Sequence, residues 1–152
     1  MLRAEGYDIG FFGEMDFYAH LRKGLDAVDV GIYPAPDAHH VARLNAWMGR
    51  HATRPFAAWI HLVGPHLIGE VGKESLKLFP QASRVRFEDM LAMHSRETCA
   101  PECLRTERKE ELIAYYDAKV RTADNYLSVI LKTVAKLGLE GKTVVIVSAD
   151  HG

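Results

Sequence analysis

Three stretches of the chain are mostly apolar with no regular polar alternation, and one long stretch is apolar only every third or fourth position. The mostly apolar runs are residues 7–12 (YDIGFF), 56–63 (FAAWIHLV) and 143–148 (TVVIVS). A strand covered on one face alternates apolar and polar residues, whereas a strand covered on both faces does not. The last run is the strongest, because Thr143, Val144, Val145, Ile146 and Val147 are all β-branched. The periodic stretch is 106–137, with apolar residues at Leu112, Tyr116, Val120, Ala123, Leu127, Ile130, Val134 and Leu137. Steps of three and four define one stripe on a long helix. Thr106 can cap its start, Glu107, Glu110 and Glu111 sit at the positive end of its dipole, and Gly138 and Gly141 stop it. A long helix feeding a buried strand is half of a βαβ unit. The pattern therefore predicts an α/β fold in which strands 7–12, 56–63 and 143–148 lie parallel in one sheet, with helix 106–137 on its face.

The remaining segments are less regular. Residues 24–37 are rich in Gly, Pro and Asp and read as irregular connection. Asp37 is placed as the N-cap of a helix over Ala38–Met48, with Val41, Leu44, Asn45 and Met48 on one side and Gly49 as its stop. Residues 67–105 allow short helical pieces around 72–79 and 86–94 within long loop, the kind of segment that forms lids or binding loops.

Composition narrows the classes. The 152 residues, 48% hydrophobic and 26% charged, suit one α/β domain or a large part of one. A net charge of -1, from 19 basic and 20 acidic residues, gives no electrostatic case for nucleic acid or an anionic membrane surface. No apolar run approaches the roughly 18 to 20 residues of a membrane span, and the N-terminus lacks the apolar centre of a signal peptide. Cys99 and Cys103 lack the second ligand pair of a structural zinc site, so a local disulfide and two free thiols both remain open. Arg84, Arg86, Arg96 and Arg105 can meet an anion or simply face solvent.

Candidate chemistry gathers after the strands. Each run ends on a polar turn: Glu14-Met15-Asp16, Gly64-Pro65-His66 and Asp150-His151-Gly152. In open α/β sheets, sites lie just past the carboxyl ends of the strands. Taken singly, His66 reads as a surface histidine and Asp150-His151 as a capped turn. Parallel strands would bring all three turns to one rim, where carboxylates and imidazoles suit a hard divalent cation beside an anionic group.

The same segments resemble a known family. VVIVSADHG, after a helix ending in LKTVAKLGLEGKT, is similar to the sulfatase signature of the alkaline phosphatase superfamily, a strand of the type TIVIFTSDHG that delivers two metal ligands. PFAAWIHLVGPH resembles that family's strand ending in Pro-His, and EGYDIGFFGEMDFY its GY-x-T-x-x-x-GK-x-H segment. Asp16 followed by an aromatic residue, together with AYYDAKVRTAD, looks most like the arylsulfatase K branch, which has GK-x-DY.

The resemblance implies a partial alkaline-phosphatase-like, mostly parallel sheet with flanking helices, spanning 1–152 as a central piece of the catalytic domain. It implies Asp150 and His151 as calcium ligands and His66 as the histidine that contacts sulfate. Asp16 matches the branch's Asp, and Glu14 stands where the family has a sulfate-binding Lys. A carboxylate there repels a sulfate, so another cation compensates, the substrate is bound differently, or catalysis is impaired. The family's Asp-Asp strand is not found in the chain. Nor is its Cys-x-Pro-x-Arg motif, whose Cys becomes the formylglycine nucleophile; Cys99 runs Ala-Pro-Glu instead. The implied protein is a calcium-dependent sulfuric ester hydrolase acting on a sulfated small molecule or glycosaminoglycan, lysosomal or secreted. A phosphodiesterase or phosphonate hydrolase of the same superfamily, or a non-catalytic glycan-binding relative, are its rivals.

Overall fold

The computed structural model describes residues 2–14, 25–31, 36–66, 71–86, 89 and 106–149. Its centre is a three-stranded sheet of β1 (Asp8–Glu14), β2 (Ala27–Gly31) and β3 (Phe56–Ile60), in the order β2-β1-β3. Both pairings are parallel, with Phe11 opposite Val28 on one side and Trp59 on the other. β1 and β3 fall where continuous apolar character placed them. β2 lies inside the stretch read as irregular connection. It is short, carries Asp29, and among the described residues pairs on one edge only, so its five residues do not rise above the surrounding Gly and Pro signals.

Helix α1 (Asp37–His51) packs on the sheet. Its buried residues Asp37, His40, Val41, Leu44, Trp47 and Met48 recur at helical spacing on one face. Trp47 is the hub. It stacks on His51 at 4.4 Å between centroids and meets Phe12 and Phe56 edge-on at 5.7 and 5.5 Å. His51 Nδ1 lies 2.7 Å from Asp8 Oδ2, which ties the end of α1 to the start of β1. The helix runs through Gly49, which is therefore not its stop.

A short helix, α2 (Lys73–Leu78), falls in the predicted 72–79 region, and a 3-10 turn follows at Pro80–Arg84. Helix α3 (Thr106–Lys136) occupies the predicted long-helix segment. Its C-terminal half behaves as the stripe predicts, with Ile130 and Val134 joining Phe12, Val41, Leu44, Trp47, Met48 and Leu139 in one core. Its N-terminal half does not. Tyr116 and Val120 are exposed, and Ala118, Lys119 and Thr122 are buried instead. There α3 faces α2, and the contact is polar. Gly72 N–H donates to Thr122 Oγ1 at 3.0 Å, and the Thr122 and Ser75 hydroxyls share a hydrogen bond at 2.9 Å. Among the described residues, no helix is long and apolar enough to cross a membrane.

The expected strand 143–148 is the main departure. Thr143 is extended (φ -120, ψ 128), but the segment joins no sheet among the described residues, and Val144 and Ile146 are 86% and 85% exposed. β-branched composition makes a segment favour extended, buried surroundings. It does not supply the neighbouring backbone edge that a strand needs for its N–H and C=O groups.

Candidate active site

Because the three strands are parallel, their carboxyl ends share one rim. β1 reaches it at Glu14. β3 reaches it at Ile60, and His61 N–H extends the ladder by donating to the Phe12 carbonyl at 2.8 Å. The strands close tightly there: a Cβ on Gly13 would stand 2.9 Å from the Cβ of His61, so only glycine fits without a shift. His61 Nδ1 is buried and has no hydrogen-bond partner among the described residues.

The Gly64-Pro65-His66 turn stands just beyond β3. His66 N–H donates to the Val63 carbonyl at 2.9 Å, and the residue is exposed. Two charged side chains from different helices grip this turn. From the first turn of α1, Asp37 accepts the Val63 N–H on Oδ1 (2.9 Å) and the Gly64 N–H on Oδ2 (2.7 Å). From α3, Lys119 Nζ donates to the His66 carbonyl oxygen. Lys119 is 1% exposed, and its Nζ lies 5.0 Å from the centroid of the Tyr115 ring. Burial pushes the Lys119 ammonium down to about 8 and the Tyr115 phenol up.

Of the residues singled out in the sequence, the structure puts Glu14 at the carboxyl end of β1 and His66 in the turn that follows the neighbouring strand β3. Asp16, Asp150 and His151 lie outside the described residues, as do Cys99, Cys103, Arg96 and Arg105. No group of three or more His, Cys, Asp or Glu side chains forms a metal site among the described residues. The Arg84 guanidinium faces Glu111 at 3.6 Å, and the backbone N–H of Arg86 donates to the Asp89 carboxylate at 2.8 Å.

Sequence reasoning missed the role of Asp37 and passed over Lys119. Asp37 is the first residue of α1, and Pro36 holds the cap position. Its carboxylate serves the β3 turn instead of its own helix. The signal for Lys119 was weak: it stands three residues after Tyr116 and four before Ala123, on the edge of the apolar stripe, where a lone lysine is easily passed over.

A parallel α/β sheet that delivers polar turns to one rim defines a protein whose site is built past its strand ends. The family is settled by comparison over the full length: the sulfatase family model matches residues 1–152, and the chain belongs to the sulfatase family. Members of this family are hydrolases acting on sulfuric esters. Neither a curated protein nor a solved structure matches the chain.

Proposed function

We propose that the chain is the central part of the catalytic domain of a sulfatase that removes sulfate from a sulfated carbohydrate or uronate in a glycosaminoglycan, similar to the arylsulfatase K branch and lysosomal or secreted. The observation that supports this most is the match of the sulfatase family across all 152 residues. The formylglycine nucleophile and part of the metal site lie outside the chain in this reading. Asp150 and His151 would hold the calcium. Asp150 offers the hard oxygen donor that calcium prefers, His151 a nitrogen that suits it less well, so further oxygens have to complete the site. When bound, calcium and the formylglycine hydrate supply charge neutralisation at the sulfate oxygens and the attacking oxygen. The residues of this chain have narrower tasks. His66, held at the rim after β3, gives a proton to the leaving oxygen as the sulfur–oxygen bond breaks, so that the alcohol departs neutral. Asp16, which matches the branch's Asp, is a further substrate-binding candidate in this reading.

Glu14 tests this reading, and it also favours the second one, a sulfatase-like protein that binds sulfated glycan without turnover. In the complete protein, Glu14→Lys exchanges repulsion for attraction beside the sulfate. One charge contact in a partly desolvated site is worth about 1.5 to 3 kcal/mol, roughly ten- to a hundredfold. The measurement is kcat/KM of wild type and Glu14→Lys on a panel of sulfated uronides and aryl sulfates. A gain on that scale supports the sulfatase reading with Glu14 beside sulfate. A loss means that Glu14 recognises another substrate group. No change on any substrate places Glu14 outside the site. Wild type that binds sulfated glycan without hydrolysing it, while Glu14→Lys hydrolyses it, establishes the non-catalytic reading.

A further inference from the structure

We propose that Asp37 and Lys119 are a pair of positioning residues that clamp the Gly64-Pro65-His66 turn and so aim His66 at the rim; the functional half of this inference rests on the role given to His66 above. The clamp grips the backbone at both ends of the turn. Upstream, one carboxylate takes two consecutive N–H groups, Val63 at 2.9 Å and Gly64 at 2.7 Å. Downstream, Lys119 takes the carbonyl of His66 itself. Between the two grips lies only Pro65, whose ring locks φ. With both sides of His66's own backbone tied, the direction of its Cα–Cβ bond is set, and only two side-chain torsions remain.

Both gripping groups are buried, Asp37 at 8% exposure and Lys119 at 1%. Charged groups are seldom buried to that degree without a polar partner that needs them. They also come from separate elements, α1 and α3, which meet in the core through Val41, Leu44, Ile130 and Val134. The turn is thereby referenced to the rigid body of the fold rather than to its own loop, which is what a proton donor needs if it is to stay within hydrogen-bond reach of a leaving oxygen. Gly64 fits the same account, because a Cβ there would lie 2.7 Å from Asp37 Oδ2.

The test uses the complete protein with Asp37→Asn, Lys119→Met, Lys119→Gln, Gly64→Ala and His66→Ala. Two readouts are independent of one another. The first is amide hydrogen exchange at Val63 and Gly64. An Asn keeps only one oxygen, so Asp37→Asn speeds exchange at one or both amides by about ten- to a hundredfold, with the amides of β1 unchanged. Should Asp37→Asn fail to fold, Gly64→Ala presses on the same carboxylate from the other side and is read in the same way.

The second readout is kcat. Lys119→Met lowers kcat on esters with a poor leaving group by about tenfold or more, a part of the roughly hundred- to ten-thousandfold that a general acid contributes, and spares both KM and esters of good leaving groups. Lys119→Gln, which keeps an N–H donor, recovers part of the loss. In the His66→Ala background Lys119→Met has no further effect.

Unchanged exchange at both amides in Asp37→Asn and Gly64→Ala overturns the clamp. So does a Lys119→Met loss of equal size with and without His66. Accelerated exchange in a protein that hydrolyses no sulfate ester, or in which His66→Ala keeps full activity, leaves the clamp standing and sinks the catalytic role of His66 instead.

Discussion

At the residue scale, Lys119 shows how far burial can override the ordinary behaviour of a side chain. A lysine in water titrates near 10.5, and burial brings this one to about 8. Below the folded value the ammonium is charged in both states, and the cost of burying it is present in full. Between about 8 and 10.5 the unfolded chain holds the proton while the folded chain releases it. Stability therefore rises with pH across that window. The wild-type stability minus that of Lys119→Met should climb between these values and stay level below pH 8, as read from urea midpoints. A flat difference would mean that the amine is not desolvated. Asp37 carries a related lesson. Its identity marked the start of a helix correctly, but a carboxylate at that place can serve either its own helix or a neighbouring turn. Only the position of β3 decides which.

At the element scale, α1 and the segment after α3 illustrate opposite errors of local reading. Gly49 has the residue type of a helix stop, yet α1 continues to His51 because Trp47 and Met48 are buried and hold the last turn in place. An alanine at 49 would meet nothing within 4 Å. Gly49→Ala should stabilise the protein by about 0.5 to 1 kcal/mol, the usual difference between glycine and alanine inside a helix, measured by thermal or urea unfolding. The segment 143–147 has every local mark of a buried strand and is exposed, as Val144, Val145, Ile146 and Val147 show. Such a row of β-branched residues without a paired edge is a template for association. The 152-residue chain on its own should self-associate at micromolar concentration, and Ile146→Lys should reduce this without loss of helix content. Light scattering with far-UV circular dichroism checks both. A monomer in both proteins would show that the segment is covered in solution.

At the scale of the whole molecule, the sheet's direction matters more than any single element. Parallel pairing of β1 with β2 and β3 sets Glu14 and the turn after Ile60 on the same side. The α1–α3 core packs against that side through Phe12, with Ile60 and Leu62 beside it. In the proposed reading, the nucleophile and part of the metal site belong to chain beyond these 152 residues. The 152-residue chain by itself should therefore hydrolyse no sulfate ester above the rate of its Asp150→Ala variant. Removal of a nucleophile alone costs several orders of magnitude in rate. Turnover of an aryl sulfate by the purified chain that falls in Asp150→Ala would refute the placement of the nucleophile.

Apolar runs located β1 and β3, helical periodicity located α3, and turn chemistry named Glu14 and His66 as candidates, because each of these signals depends on neighbours along the chain. Periodicity is a local quantity, and so is the polar punctuation after a strand. The partnership of Asp37 with Val63 and Gly64, the grip of Lys119 on His66, the five residues of β2 and the exposure of 143–147 were decided by the tertiary structure alone. Each turns on which backbone groups and surfaces meet across 17 to 53 positions of sequence, or fail to meet. A hydrogen bond or a paired edge has two ends, and a residue's own surroundings in sequence specify only one of them.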